Sequence, residues 1–381
     1  MESTRRKRFD KLRMELSSAL IERDEEIDCL LLGLVAGEHV LFVGAPGTAK
    51  SMLCNALGAG ISGARVFSRL LTKFTTPDEV FGPWSLVGMR SGVYERLIDG
   101  YMPSSDITFI DEIWKASSAI LNCLLTIMEE RLIDQGPARI PVPLRMVVCA
   151  SNEWPGGQGQ EDVSALFDRC LIRRTVRPVS PSRRSDLMFA SLPTVSPCID
   201  LSDVDGSAVE AAGLAFSDAA RTSLLQIVEE LGAAGIRPGD RRLRKSLKVA
   251  RAGAWLAGSA EVLPVHLEPL QYVLWSDPVE QPGRAAEIVC RIANPVGARL
   301  QQILRDVDEI MLDPEVRTDA AKRVKAIKQL EVCESEAKSQ LKGGNGRAQK
   351  VFSHIRRERI GLNAIQLGIS PEKALAILGA E

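Results

Sequence analysis

Short apolar runs alternate with stretches of helical periodicity over the first half of the chain. The runs cover residues 40–43, 64–71, 107–110, 144–150 and 171–176, and each has the length of a buried strand. Helical patterns separate them, among them 50–57 and 119–131. Strands that alternate with helices predict an α/β fold with a parallel five-stranded sheet that is covered on both faces.

The other segments are predicted to be helical or irregular. Residues 5–35 predict one or two amphipathic helices, and residues 84–98, interrupted by Gly88 and Gly92, predict an inserted hairpin. Residues from 178 to about 213 are rich in Pro, Ser and Asp, which predicts a linker. We expect N-terminal helices joined to the core at 1–37, an α/β core at 38–180, the linker at 181–213, a helical domain at 214–276 and a C-terminal helical region at 277–381.

The C-terminal region offers helical runs at 284–311, 315–342 and 347–379, and Pro295 should kink or break the first run. The first two runs carry apolar stripes and are joined at Asp313-Pro314, so they can form an antiparallel hairpin. Two roles stay open for this hairpin: a support for the helical domain, or an arm that docks a partner.

The first apolar run leads into a loop of small residues and then a helix, which is the layout of a phosphate-binding loop. Small residues let backbone N–H groups converge on a phosphate, and the helix start adds its positive dipole. Lys50 would reach the β- and γ-phosphates, and the Ser51 hydroxyl would bind Mg²⁺. Ala49 stands where the usual pattern has Gly, and by itself the motif is also compatible with ordinary α/β packing. The predicted loop comprises Gly44, Ala45, Pro46, Gly47, Thr48, Ala49, Lys50 and Ser51.

Polar residues follow two later apolar runs. Asp111 and Glu112 end the run at 107–110, where the first acid would orient the Mg²⁺ shell and the second would polarise the attacking water. Asn152 follows the run at 144–150 and would either hold that water against the γ-phosphate or cap a turn.

Three arginines are candidates for contact with the phosphates. Arg169 would reach the γ-phosphate of a neighbouring subunit as an arginine finger, or would pair with Asp168 in its own chain. Arg173 is the rival candidate for the finger. Arg241 begins a helix after Pro238-Gly239 and would fold onto the nucleotide, whereas the basic residues around it form a solvated face.

Composition narrows the class of protein. The 381 residues carry a formal net charge of −1, which gives no global attraction to nucleic acid or to acidic membranes. The eight cysteines form no Cys-x-x-Cys pair, and several lie in apolar segments, as expected for thiols in a reducing compartment. With no apolar stretch near the roughly 18 residues of a membrane span, and no signal peptide, we expect a cytoplasmic protein.

The motifs together resemble the MoxR group of AAA+ ATPases, and more particularly its RavA-like branch. The resemblance extends from about residue 25 to 275 and rests on GAPGTAKS, FTTPDEVFGP, ITFIDEIWKASSAILNCLLTIMEER, VCASNEWP and ALFDRCLIR, which occur in this order. The IWKA segment is closer to the RavA-like branch than to MoxR proper. GDRRLRK and WLAGSAEVLPVHL resemble the lid of that branch.

The resemblance implies an AAA+ P-loop core, a helical lid and an all-α C-terminal region, assembled into a hexameric ring that uses ATP and Mg²⁺. It implies a partner with a von Willebrand factor A domain and an unknown protein substrate, and Ala49 fits the branch. Residues 276–381 are short for the C-terminal part of the RavA-like type. The implied roles are Walker A for Lys50 and Ser51, Walker B for Asp111 and Glu112, sensor 1 for Asn152, finger for Arg169 and sensor 2 for Arg241.

Three functions are therefore compared. The first is a chaperone-like ring that hydrolyses ATP to remodel proteins. The second is a nucleotide-dependent assembly scaffold with little turnover, against which Glu112 and Arg169 argue because a scaffold needs no general base. The third is a nucleic-acid motor, which is disfavoured by the net charge of −1 and by an inserted hairpin that carries only Arg90 and Trp84 around Gly88–Gly92.

Overall fold

The computed structural model describes residues 4–155, 161–180, 183–340, 346–370 and 373–374. No helix in these ranges is long and apolar enough to cross a membrane. The helices are α1 (Thr4–Ala19), α2 (Asp24–Ala36), α3 (Lys50–Ala59), α4 (Pro77–Phe81), α5 (Leu86–Arg90), α6 (Ser118–Glu130), α7 (Glu161–Arg169), α8 (Arg184–Phe189), α9 (Leu201–Ala212), α10 (Asp218–Ala233), α11 (Asp240–Leu256), α12 (Gln281–Ala293), α13 (Pro295–Leu312), α14 (Glu315–Thr318), α15 (Ala320–Ser339) and α16 (Gly346–Leu367). The strands are β1 (Val40–Val43), β2 (Ile61–Ser62), β3 (Val66–Leu70), β4 (Ile107–Asp111), β5 (Leu132–Gln135), β6 (Ala138–Pro141), β7 (Met146–Ser151), β8 (Ile172–Thr175) and β9 (Ile199–Asp200).

The central sheet has five strands in the order β3-β4-β7-β1-β8, and every neighbouring pair is parallel. Strand β1 matches its expected bounds, and the other four differ from theirs only by a few residues at the ends. The predicted α/β fold with a five-stranded parallel sheet is confirmed. Because all strands run in one direction, the loops that follow β1, β4 and β7 meet at the carboxyl edge of the sheet.

The predicted hairpin at 84–98 is wrong. Trp84 and Arg96 form one isolated antiparallel bridge, and α5 occupies the segment between them. The helix forms because the Ser85 hydroxyl caps it by accepting the amide of Gly88 at 3.0 Å. A hairpin does occur at β5 and β6, which pair across a turn with Gly136 at φ 56°.

Much of the expected linker at 181–213 is ordered secondary structure. β9 pairs with β2 in parallel, and α9 follows it directly. The helix starts there because Asp200 accepts the backbone amide of Asp203, which in turn accepts the amide of Asp200. Arg8 donates to the buried Asp203 carboxylate at 2.9 Å, so α9 is tied to α1. The frequent Asp residues are therefore helix caps and ion-pair partners.

The described residues from Cys290 onward form a compact unit of their own. α13, α15 and α16 enclose an apolar core that includes Leu300, Leu330 and Ile355. The predicted break at Pro295 is confirmed, because α12 ends at Ala293 and α13 starts at Pro295. The antiparallel hairpin is also confirmed, with α16 as a third member of the bundle. The parts of the expected runs at 341–342, 371–372 and 375–379 lie outside the described residues.

Candidate active site

The loop between β1 and α3 has a backbone that few residues tolerate. Gly47 and Ala49 both lie in the left-handed region, with φ of 79° and 67°. Gly44 has no room for a side chain, because a Cβ there would lie 2.3 Å from the carbonyl oxygen of Val176. Small residues are therefore required by the shape of the loop, as well as by the approach of a phosphate.

The side chain of Lys50 folds back into this loop and is only 5% exposed. Its Nζ donates to the carbonyl oxygens of Gly44 at 2.6 Å and Ala45 at 3.1 Å, and to Asn152 Oδ1 at 3.1 Å. Burial lowers the pKa of Lys50, and the two acids at the end of β4 oppose that shift. The loop thus presents a cation that protein acceptors already hold in place.

The two acids and the asparagine meet at the same edge of the sheet. Glu112 Oε1 accepts a hydrogen bond from Asn152 Nδ2, so Lys50, Asn152 and Glu112 form one chain of contacts. Glu112 is 8% exposed and has φ 53°, and its amide donates to Asp111 Oδ1 at 2.9 Å. A left-handed backbone costs a residue with a side chain about 1–2 kcal/mol. Such strain is typical of functional positions.

The residues around Ser51 and Asp111 suit a magnesium ion that is shared with phosphate oxygens. Ser51 lies in the first turn of α3, and α3 packs against β4, which ends at Asp111. Among the described residues, no cluster of three or more His, Cys, Asp or Glu residues forms a complete metal cage. Mg²⁺ usually keeps waters and binds through one or two carboxylates plus substrate phosphates, so this small donor set fits it.

A cavity of about 350 Å³ opens beside the phosphate loop. Its wall is mostly apolar and combines the loop with the α1–α2 turn and with α8. The lining residues include Leu20, Ile21, Gly47, Met52, Val179 and Met188. A concave apolar cavity next to an anion site can hold the flat ring of a nucleoside.

The two candidate finger arginines have different surroundings. Arg173 is 1% exposed, and its guanidinium donates to the carbonyl oxygens of Phe167, Cys170 and Trp275 at 2.7, 2.9 and 2.8 Å. Burial and nearby Arg242 lower the pKa of Arg173. Arg169 is half-buried at the end of α7 and donates to Ala165. The guanidinium of Arg173 is thus held by carbonyl oxygens of its own chain, whereas Arg169 is more accessible.

Arg241 does not lie at the phosphate loop of its own chain, contrary to the expectation. Its Nη1 is 3.6 Å from Glu129 Oε2 at the end of α6. Lys245, one turn further along α11, contacts Glu38, which precedes β1. The start of α11 therefore lies at the amino edge of the sheet, whereas the phosphate loop follows β1 at the carboxyl edge. A contact between Arg241 and the nucleotide of the same chain is not supported.

Sequence reasoning missed several residues around the loop. Arg23 is 4% exposed and its Nε donates to the carbonyl oxygen of Thr48 at 3.2 Å. The carboxylate of Glu22 accepts from the amide of Ser180 at 2.6 Å, which ties the α1–α2 turn to the segment after β8. No local pattern marks these contacts. Arg23 and Thr48 are 25 positions apart in the sequence, and Glu22 and Ser180 are 158 positions apart.

We expect Ala49→Gly to raise the free energy of unfolding by about 0.5–1 kcal/mol. Glycine removes the left-handed penalty of about 1–2 kcal/mol but loses about 0.5–1 kcal/mol of chain entropy. Urea denaturation measures the change. Ala56→Gly inside α3 is the matched control and should lower stability by about 1 kcal/mol. Equal losses in both variants would contradict the strain at Ala49.

Arg173→Met should lower the free energy of unfolding by about 3 kcal/mol or more, because buried carbonyl oxygens lose their donor. Arg169→Met should lower it by only about 1 kcal/mol, because this half-buried side chain loses its hydrogen bond to Ala165. Chemical denaturation of both variants makes the comparison. If both lose the same stability, the assignment of Arg173 as purely structural is wrong.

Comparisons with known proteins agree with this geometry. Residues 7–195 match the model of the MoxR domain in the MoxR-vWA-beta-propeller ternary systems, and residues 221–289 match the model of the AAA lid domain. An uncharacterized protein of Methanocaldococcus jannaschii is 38% identical over 277 residues, which cover 71% of this chain and 72% of that protein.

More distant proteins agree as well. The chaperone MoxR1 of Mycobacterium tuberculosis is 26% identical over 181 residues, or 46% of each chain. The crystal structure of a candidate ATPase from Cytophaga hutchinsonii has a TM-score of 0.62 and 17% identity, and covers 76% of this chain and 95% of its own. That likeness shows the fold. Together with the loop, the acid pair and the lid, these findings show that the chain belongs to the MoxR group of AAA+ ATPases.

Proposed function

We propose that this protein is a RavA-like, chaperone-like ring that hydrolyses ATP with Mg²⁺ to remodel other proteins. The observation that carries the proposal is the chain of contacts Lys50–Asn152–Glu112 at the carboxyl edge of the sheet. A cation for phosphate, an amide for a water molecule and a carboxylate base are thereby held within reach of one another.

Each residue has a distinct role in this proposal. Lys50 exchanges the carbonyl oxygens of the loop for the β- and γ-phosphates. Asn152, released from Lys50, orients the attacking water, and Glu112 accepts its proton. Ser51 and Asp111 would hold Mg²⁺, which neutralises charge that develops on the phosphate oxygens. The 350 Å³ cavity would take the nucleoside.

The arginines support catalysis between subunits. Arg169 and Arg241 both lie near Glu129: burial raises the pKa of this carboxyl group, but Lys245, Arg241 and Arg169 lower it by more. The two arginines therefore share one surface, and that surface is at the edge of the sheet opposite to their own phosphate loop. We propose that both reach the nucleotide of a neighbouring subunit in a homo-oligomer, most simply a hexamer.

The partner and the compartment are proposed on separate grounds. The matching family model describes MoxR domains in systems with a vWA protein, which supports a partner with a von Willebrand factor A domain. The eight free cysteines support a reducing compartment such as the cytoplasm.

Glu112→Gln should retain ATP binding and lower turnover by about 10²–10⁴-fold, the usual contribution of base catalysis. Lys50→Ala should lose binding itself, because it removes the cation in the loop. Calorimetry of nucleotide binding and a phosphate-release assay separate the two effects, with Lys325→Ala on the surface of α15 as the control. Unchanged turnover in Glu112→Gln would refute the assignment, and binding without turnover in the unmodified protein would favour an assembly scaffold.

Mixing Arg169→Ala with Lys50→Ala subunits should restore part of the ATPase activity if Arg169 acts between subunits. A mixed interface then combines an intact loop from one chain with an intact arginine from the other. Phosphate release is measured against the mixing ratio after mixed oligomers are demonstrated by native mass spectrometry.

The same mixture with Arg241→Ala tests the second arginine. Partial recovery is expected for a residue that serves a neighbouring site, and none for a residue that serves its own. Arg221→Ala, an exposed arginine on α10, should be active without mixing and serves as the control. Mixed rings that remain inactive in both experiments would rule out catalysis across the interface.

A further inference from the structure

Lys115 lies beside the proposed base in a position that none of the roles above uses. The residues after Glu112 form a 3₁₀ helix, Ile113–Lys115, whose buried Ile113 anchors it to the core. The amide of Lys115 donates to the carbonyl oxygen of Glu112 at 2.9 Å. This tight turn returns the lysine side chain to the carboxylate three residues earlier, and Nζ lies 3.3 Å from Glu112 Oε2.

The turn is also fastened to the loop that carries Asn152. Trp114 Nε1 donates to the carbonyl oxygen of Glu153 at 3.0 Å, one residue beyond Asn152. The Trp114 ring lies 6.3 Å from that of Phe167 on α7. The backbone below Lys115 is thus fixed from two sides, so its side chain starts from a defined position.

The two oxygens of Glu112 have different partners. Oε1 faces Asn152, on the side of the phosphate loop, and Oε2 faces Lys115. The Glu112 side chain is 10% exposed, whereas the Lys115 side chain is 46% exposed. The cation therefore holds the base from the solvent side and leaves Oε1 directed toward the water that Asn152 would orient.

We infer that Lys115 is a positioning residue that fixes the carboxylate of Glu112 for proton abstraction. The inference rests on the proposed ATPase function. When Lys50 turns to the phosphates, Asn152 loses one partner and becomes free to move. Lys115 keeps its contact, because it belongs to the same turn as Glu112. Lys115 therefore continues to orient the Glu112 carboxylate after Lys50 has moved.

The test compares Lys115→Met and Lys115→Arg with the unmodified protein and with Lys325→Met, which removes the same charge from the surface of α15. Methionine keeps the length of the side chain without its charge, and arginine restores the charge. We expect Lys115→Met to lower kcat by roughly 10- to 100-fold, as for a reacting group displaced by about 1 Å. KM and the Kd for ATP should not change. Lys115→Arg should recover most of kcat, and Lys325→Met should behave as the unmodified protein.

Crystal structures of the nucleotide-free proteins provide a second measurement that needs no turnover. The Glu112 carboxylate should contact Asn152 in the unmodified protein and in Lys115→Arg, and should leave that position in Lys115→Met. Absence of ATPase activity in the unmodified protein would overturn the proposed function, and the position of Glu112 would still test Lys115. An unmoved Glu112, an unchanged kcat, a weakened Kd or a failure of arginine to rescue would each overturn the positioning role.

Discussion

A buried ammonium group requires acceptors, and this requirement at Lys50 organises the carboxyl edge of the sheet. Leaving such a cation unpaired in the interior would cost several kcal/mol. Its acceptors are the carbonyl oxygens of Gly44 and Ala45 and the side chain of Asn152. Lys50 thereby connects the end of β1 to the end of β7. Asn152 also donates a hydrogen bond to Glu112 at the end of β4. The side chain of Lys50 therefore helps to fix the shape of the loop.

The amino edge of the same strands is fixed by another buried group. His39 precedes β1, and its Nδ1 accepts the amide of Val147 at 2.9 Å while Nε2 lies 3.0 Å from the carbonyl oxygen of Met128. Burial and the charge of Arg131 lower the pKa of His39 well below its ordinary value, so the ring is neutral. Strand β1 is thus held against its neighbours at both ends.

The sequence was informative where function depends on the ends of strands. Lys50, Asp111 and Asn152 each follow an apolar run closely, so the topology of a parallel sheet brings them to one edge. Contacts between distant segments left no such signal. Arg23 at Thr48 is one example, and the cap at Asp200 that turns an expected linker into a helix is another. The choice between Arg169 and Arg173 also depended on burial, which neighbouring positions in one segment do not reveal.

The position of α11 depends on the buried Arg242, and it determines where the neighbouring Arg241 lies. Arg242 is 2% exposed and shares a helix face with the buried Ser246 and Val249. Its guanidinium needs acceptors there, and finds them in Asp168 and in the carbonyl oxygens of Leu171 and Val273.

These contacts place the start of α11 beside α7 and the start of β8. Successive helical residues are turned by about 100°, so Arg241 emerges on a different face, half-exposed and beside Glu129. It comes to lie near Arg169 because Arg242, the next residue, is held by Asp168, which precedes Arg169 in the chain. The lid is thus held against the back of the sheet by the same residue that turns Arg241 outward. Arg169 and Arg241 therefore lie at the amino edge of the sheet, whereas the phosphate loop lies at the carboxyl edge.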